Sequence, residues 1–377
     1  MPLRMRFPLM LIGILALLVG LWAGWIRMGW AFPRPNLAWP GAHGAHGALM
    51  ISGFLGTLIT LERAIVGPRW VWGAPILAAL GSLTLLLMPP TNGSAVLFLG
   101  SAVVLAALFV HAARRRMDPA ILVLGFGAMA WGIGQLIWLG SDSLAKATPW
   151  WTAFLVLTIV GERLELAQVI PRGRGMIGSF WAGVGLVLFG LILSLFLPAW
   201  GQRVLGLGWL ALAAWLAHYD IARRTVRQHG LVRYLALCML AGYLWLGIGG
   251  GLEWLPGEAT AGPLYDARLH AVLIGFVFSM IFGHALIIFP AVLRVNPVFS
   301  STLYLPLVLL HLSLVVRLIG DLGGIFEVRR WGGLLNGVAI LLFLTLILRG
   351  IRAGRKASPG PLAASSEDLR LGGWTDR

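Results

Sequence analysis

Long apolar runs dominate the pattern of hydrophobic and polar positions along this chain, and short polar or Gly/Pro-containing breaks separate them. Runs of about 18 or more apolar residues are typical of helices that span a bilayer. The pattern predicts twelve, at 7–29, 45–66, 70–88, 94–113, 119–140, 148–168, 176–198, 203–219, 231–252, 267–290, 302–319 and 331–350. The apolar stretch of the first is too long for a signal peptide. We therefore expect an all-α polytopic membrane protein with twelve transmembrane helices in residues 1–356.

Composition and charge place this protein in a membrane rather than on a nucleic acid. Charged residues make up only 11% of the chain, against roughly 25% in a soluble domain. The net charge of +15 is explained by topology, since one set of loops together with both termini carries 21 of the 29 Lys and Arg residues. The positive-inside rule then predicts cytoplasmic termini in an inner membrane. Residues 357–377, rich in Ser, Gly and charge, are expected to form a disordered cytoplasmic tail.

A weak repeat relates helices 2, 6 and 10 of this prediction. The segments are 53–63, 154–163 and 275–284. The first ends in Thr-Leu-Glu-Arg and the second in Gly-Glu-Arg. A recurrence every fourth helix indicates three four-helix units. Chance similarity among apolar helices is the alternative.

Two histidines, His46 and His270, stand near the outer ends of helices 2 and 10. Ionisable side chains within a membrane are costly and indicate function by default. Both helices run in the same direction, so the two imidazoles lie at similar depth, where they can ligate one haem iron from opposite faces. His43 is three residues before His46, on the same helix face, and is an alternative ligand. Interfacial helix capping by each histidine is the competing interpretation.

Two further histidines, His284 and His311, raise the question of a second haem. His284 follows His270 by fourteen residues, about 21 Å along a helix, on nearly the same face. Helix 2 has Thr60 at the matching position, so His311 is the one candidate partner. Three histidines, His43, His46 and His270, also suit copper, which leaves a copper site as an alternative.

The single cysteine, Cys238, excludes a disulfide and the Cys-x-x-Cys-His attachment of c-type haem within this sequence. A haem would therefore be held non-covalently, as haem b.

Charged residues also occur within the predicted helices near their cytoplasmic ends. Glu62-Arg63 ends helix 2 and Glu162-Arg163 ends helix 6. One interpretation is a structural latch in which the pairs neutralise each other. The other is a proton or quinone site with Glu62 or Glu162 as the protonatable group. Arg317 and Asp321, one turn apart on helix 11, are expected to pair, and Asp321 is also a candidate to orient a ligating histidine.

The residues on helices 2 and 10 resemble those of haem–copper oxidase subunit I. His46–Phe54 is similar to its low-spin-haem helix, and so is Arg268-Leu269-His270 followed by Phe282–Pro290. The resemblance implies twelve helices in three four-helix arcs, a low-spin haem held by His46 and His270, and haem propionates bound by Arg329 and Arg330, with Arg268 as a further candidate.

The departures from the oxidase pattern bear on function. Arg268 stands where the oxidases have the ligand of their oxygen-reducing haem, and residues 150–170 and 177–200 contain no histidine for copper. The resemblance therefore implies a protein that keeps the low-spin site and lacks the binuclear centre, so a terminal oxidase is not expected. His43–His46 and Leu269–Gly275 also resemble NnrS-type haem-containing membrane proteins of nitric oxide metabolism, although the Leu-Gly-His-Thr-Gly-Arg pattern of that family is missing here.

The expected function is therefore electron transfer or nitric oxide-related respiration by a membrane haem b protein. Its partners would be other respiratory-chain subunits or an external electron carrier. A twelve-helix secondary transporter is the alternative class, but the four-helix repeat preserves orientation, whereas transporters often have inverted repeats.

Overall fold

The computed structural model describes residues 3–32, 44–88, 90–141, 143–166, 173–256, 260–295 and 297–357. Within them lie twelve long helices, as the apolar pattern predicts, and no strand. They are α1 (Leu3–Arg27), α2 (His46–Val66), α3 (Arg69–Leu87), α4 (Asn92–Arg115), α5 (Pro119–Ser141), α6 (Leu144–Leu166), α7 (Arg174–Ser194), α8 (Pro198–Tyr219), α9 (Gly230–Leu252), α10 (Gly262–Pro290, continuing to Leu293), α11 (Ser301–Leu322) and α12 (Phe326–Ala357). The predicted tail beyond Ala357 and the alternative ligand His43 lie outside the described residues.

The described helices make this chain a multi-span membrane protein. Eleven are long and apolar enough to cross a bilayer, and α8 has a comparable length of 22 residues. Their outer surface is apolar as well. Val96, Val103 and Val110 on α4 are spaced by seven residues and are 54%, 59% and 52% exposed. A valine stripe of this kind would face water in a soluble protein, whereas here it suits contact with lipid.

Three helices form the centre of the bundle, and they are the three related by the weak sequence repeat. The buried share of residues is 67% in α2, 72% in α6 and 67% in α10, against 39–56% in the other membrane-spanning helices. Consecutive helices otherwise pack as neighbours, with α7 against α8, α5 against α6 and α11 against α12. The four-helix period of the sequence therefore has a structural counterpart, because every fourth helix lies inside.

Small residues allow α1 to approach α2 closely. Gly13, Gly20 and Gly24 share one face of α1, and each lies against an α2 side chain. A β-carbon at Gly20 would stand 2.7 Å from the sulfur of Met50. Close approach through small residues is the usual way in which membrane helices pack, and it brings the start of α2 against the outer end of α1.

Candidate metal centre

His46 at the start of α2 and His270 in the third turn of α10 lie close together. Their ring centroids are 6.4 Å apart and the ring planes are inclined by 21°. Both side chains are partly buried. The structure therefore brings together the two histidines predicted to form a pair, although 224 positions separate them in the chain.

Hydrogen bonds fix the same tautomer in both imidazoles. Nδ1 of His46 lies 2.7 Å from the carbonyl oxygen of Gly20, and Nδ1 of His270 lies 2.8 Å from that of Asp266. A carbonyl oxygen only accepts, so each Nδ1 carries the proton and donates. Each Nε2 then keeps its lone pair. An imidazole whose other nitrogen is anchored in this way is the usual form of a histidine metal ligand.

The distance between the rings matches one shared metal ion. With metal–nitrogen bonds of about 2.0–2.1 Å, two imidazoles on opposite sides of an ion have centroids roughly 6–6.5 Å apart. A plain aromatic pair spans a range of about 4.5–7 Å that includes the same value. Three features favour a ligand pair: the anchored Nδ1 atoms, the absence of a partner for either Nε2 atom among the described residues, and the cavity described next.

A cavity of about 320 Å³ surrounds the two imidazoles at the outer end of the bundle. This volume lies within the range of about 300–1,000 Å³ that is typical of cofactor sites. Apolar side chains such as Leu21, Ile51 and Leu273 line its inner part. Its outer part is polar and includes three arginines, which are Arg27, Arg317 and Arg329. A flat apolar group with acidic substituents on one edge suits such a lining.

Both helices change their winding shortly after the histidine. Leu49–Gly56 of α2 and Ala271–Phe278 of α10 are π-helical, and π-helical segments are rare and frequent at functional sites. Each segment places a phenylalanine eight residues after its histidine. The rings of Phe54 and Phe278 lie 6.2 Å apart, inclined by 24°, so a pair of phenylalanines lies beneath the pair of histidines.

An ion-pair network links His270 to the cavity arginines. Oδ1 of Asp266 lies 3.3 Å from Nδ1 of His270. The same carboxylate accepts two hydrogen bonds from Arg317, at 2.7 and 2.8 Å. Arg329 lies 3.1 Å from Asp321 and 3.7 Å from Asp266. The expected pairing of Arg317 with Asp321 is therefore wrong: Asp266 binds Arg317 and orients the histidine, while Asp321 pairs with Arg329.

Two glycines position the arginines by letting α11 and α12 touch. A β-carbon at Gly320 would collide with the backbone of Arg329, and one at Gly332 with the backbone of Arg317. Each glycine thus lets the backbone of the neighbouring helix approach at an arginine, Arg329 in the case of Gly320 and Arg317 in the case of Gly332. This close crossing brings Arg317 and Arg329 to the same carboxylate, that of Asp266.

Two of the three arginines predicted to bind haem propionates lie away from the histidine cavity. Arg268 points away from the histidines into a separate cavity, where it donates to the carbonyl oxygens of Leu252 and Leu255 and lies 3.7 Å from Glu253. Burial raises the pKa of Glu253, just beyond the end of α9, to about 7. Arg330 lies over the ring of Trp30. Of the three predicted arginines, only Arg329 lines the histidine cavity.

The structure does not pair His284 with His311. Nδ1 of His311 accepts from the indole of Trp245 at 2.9 Å, and its Nε2 lies 3.5 Å from the hydroxyl of Ser279. His311 therefore has no free lone pair, and it does not line the cavity that His284 lines. The copper alternative depends on His43, since the described residues contain no group of three or more His, Cys, Asp or Glu side chains suited to a metal ion.

The intramembrane charges are joined, but not all in the predicted way. Arg63 pairs with Glu162 across α2 and α6, as the latch interpretation predicts. Arg163 pairs instead with Asp220, which accepts two hydrogen bonds of 2.7 and 2.8 Å. No hydrogen bond or ion pair joins Glu62 to another described residue.

Fold and site together define a polytopic helical membrane protein with a paired-histidine cavity near one membrane surface. The chain belongs to the family described as a domain of unknown function, DUF8744, whose model matches residues 6–351. None of the curated proteins matches this chain.

Proposed function

We propose that this protein binds one haem b between His46 and His270 and carries electrons through it. The observation that carries the proposal is the arrangement of the two imidazoles, with both Nδ1 atoms anchored to carbonyl groups and the ring centroids 6.4 Å apart. The resemblance of α2 and α10 to the low-spin-haem helices of haem–copper oxidase subunit I supports the same assignment.

The remaining residues of the cavity fit a haem. Leu21, Ile51 and Leu273 supply apolar surface for a macrocycle. Arg27, Arg317 and Arg329 place positive charge where two propionates would lie. Arg317 and Arg329 already pair with Asp266 and Asp321, so Arg27 is the arginine of the three whose guanidinium group has no carboxylate partner among the described residues and could bind a propionate with two parallel hydrogen bonds. The single cysteine, Cys238, is buried in α9, so a covalent c-type attachment has no support here.

Axial ligation by two histidines favours electron transfer over substrate binding. If both His46 and His270 held the iron, no position would be left for oxygen or nitric oxide, and the haem would supply one-electron chemistry at a potential set by these two ligands and by its burial. In nitric oxide-related respiration this protein would then act as an electron carrier in an inner membrane. Its partners would be other respiratory-chain subunits or an external electron carrier.

The test is the reduced-minus-oxidised spectrum of the purified protein, with haem content measured as the pyridine haemochrome. We expect one haem b per chain, low-spin in both redox states, and a spectrum that carbon monoxide leaves unchanged. A folded but colourless protein would overturn the proposal and favour the transporter alternative. A high-spin haem that binds carbon monoxide would overturn the bis-histidine ligation.

A glycine on α1 offers a finer test of the ligand geometry. A β-carbon at Gly24 would lie 2.9 Å from Cε1 of His46, and that ring is held by its bond to Gly20. In Gly24→Ala the ring must shift, and overpacking of this kind costs about 1–3 kcal/mol. We expect haem to transfer to an apo-globin scavenger about tenfold faster.

Gly13→Ala is the matched control for this prediction. Gly13 lies on the same face of α1, and its β-carbon would have ordinary contacts of 3.5–3.6 Å with Leu58 and Thr57. This variant should release haem at the wild-type rate. Equal rates for both variants and the wild type would show that the His46 ring does not ligate the haem in this position.

A further inference from the structure

A second cavity lies beneath the histidine site, toward the cytoplasmic ends of α2 and α10. It measures about 120 Å³ and is bounded by α1, α2, α6, α10 and α12. The two cavities share Leu55, Phe278 and Ile340 as lining residues. A wall one side chain thick thus separates the proposed haem site from this lower cavity.

The lower cavity is apolar except for a small set of polar groups. Its ionisable lining residues are Glu62, Glu162 and His284, and the one other polar residue is Thr158. Glu162 is paired with Arg63. Nδ1 of His284 donates to the carbonyl oxygen of Met280, 2.8 Å away, which leaves the lone pair of Nε2 without a partner among the described residues. Glu62 and His284 therefore face an apolar cavity with hydrogen-bonding capacity unused.

The combination of size and lining restricts the class of occupant. A cavity of about 150 Å³ with apolar walls accommodates one benzene ring. The lower cavity is slightly smaller, at about 120 Å³, so it can enclose at most a single six-membered ring. An unsubstituted hydrocarbon, such as a lipid acyl chain, would leave the Glu62 carboxyl group and the His284 nitrogen unsatisfied, at a cost of about 1–3 kcal/mol each. A small ring that carries hydrogen-bonding atoms would satisfy both groups, and a lipid-soluble one is available from the bilayer.

We propose that this lower cavity binds the ring of a lipid-soluble benzoquinone or its quinol, with His284 and Glu62 hydrogen-bonded to the ring oxygens. The quinol hydroxyl groups donate to the His284 Nε2 and to the Glu62 carboxylate, and the quinone oxygens accept from the protonated forms of the same groups. The proposal concerns binding, which is independent of the haem. Only the further step, in which the bound quinone or quinol exchanges electrons with a haem between His46 and His270, rests on the proposed function.

Two other occupants fit the lower cavity less well. A second haem is disfavoured because His284 has no partner imidazole, as His311 is bonded to Trp245. A chain of waters is disfavoured because each buried water typically makes about three hydrogen bonds, and phenylalanine and aliphatic side chains form most of this wall.

The experiment is a binding titration with a short-chain benzoquinone on the full chain in lipid nanodiscs, followed by quenching of tryptophan fluorescence. We expect saturable binding that weakens about tenfold in Glu62→Leu and in His284→Leu, since each variant removes one hydrogen-bond partner. Ala285→Phe, which fills the cavity from its α10 wall, should abolish saturable binding. Leucine is tolerated at bilayer depth, so the two polar-to-leucine variants should fold.

Controls come from the same residue types outside the cavity. Glu165→Leu and His218→Leu replace exposed residues that do not line it, and both should bind the quinone as the wild type does. Size-exclusion profiles and melting temperatures establish that each variant is folded. An absence of saturable binding, or equal affinity in all variants, would overturn this inference. A colourless protein whose quinone binding depends on Glu62 and His284 would overturn the haem proposal and leave this one standing.

Discussion

Replacing either His46 or His270 by alanine is expected to remove the low-spin haem b signal from the purified protein. The two ring centroids lie 6.4 Å apart on different helices, so under the proposal each helix supplies one of the two ligands and neither can replace the other. Loss of a group that merely orients a ligand weakens metal binding about 10–100-fold, and loss of the ligand itself should exceed that. The measurement is haem content per chain, with the spectrum of whatever haem remains.

His284→Ala is the matched control for both substitutions. His284 is on α10, and its Nδ1 bonds to the carbonyl oxygen four residues earlier, as in His270. It does not line the upper cavity, so its alanine variant should retain the full low-spin signal. Free imidazole added to the His46→Ala or His270→Ala protein should restore part of the signal by filling the space of the missing ring. A low-spin spectrum in either single variant without imidazole would contradict the assignment.

The fold and the proximity of His46 to His270 were predictable from the sequence because strong physical constraints act on them. Apolar runs of bilayer length specify helices, since unpaired backbone groups are not tolerated in lipid. The repeat every four helices identified α2, α6 and α10, which are the most buried. An imidazole at the outer end of two of these central helices is costly enough to require a partner, and this singled out His46 and His270.

The arginines illustrate what a sequence pattern leaves open. Arg329 and Arg330 are adjacent, and neighbouring helix residues point about 100° apart. Which of them faces the cavity depends on how α12 is rotated against α11. The contacts at Gly320 and Gly332 decide that rotation, and they depend on a specific helix crossing. Arg268 was misassigned for a similar reason, since it leaves α10 on the face opposite the histidine cavity.

Asp266 was missed because the start of α10 was placed five residues too late. The predicted helix began at residue 267, which left Asp266 in a loop, whereas α10 begins at Gly262. Pro263 is the signal that was available, because proline is favoured in the first turn of a helix, where its missing N–H is not needed. With that start, Asp266 is one turn before His270 and faces the same cavity.

Asp266→Ala is expected to damage both the stability of the protein and its haem site. The carboxylate accepts two hydrogen bonds from Arg317 and is only 13% exposed. Breaking a buried ion pair by removing one partner costs about 3–5 kcal/mol, and we expect the lower end because Asp321 remains in the same cluster. The loss of contact with Nδ1 of His270 should also weaken haem affinity about 10–100-fold. The measurements are the free energy of unfolding in detergent and the rate of haem release.

Glu327→Ala separates this effect from a general loss of charge at the outer surface. Glu327 pairs with Arg330 near the same end of the bundle but is 61% exposed, and surface ion pairs contribute only about 0–1 kcal/mol. Its alanine variant should therefore unfold and release haem almost as the wild type does. Asp266→Asn should lie between the two, because the amide retains the side-chain shape and removes the charge that holds Arg317. If Asp266→Ala and Glu327→Ala proved equally mild, the carboxylate network would not support His270, and the imidazole would be held by the Asp266 carbonyl group alone.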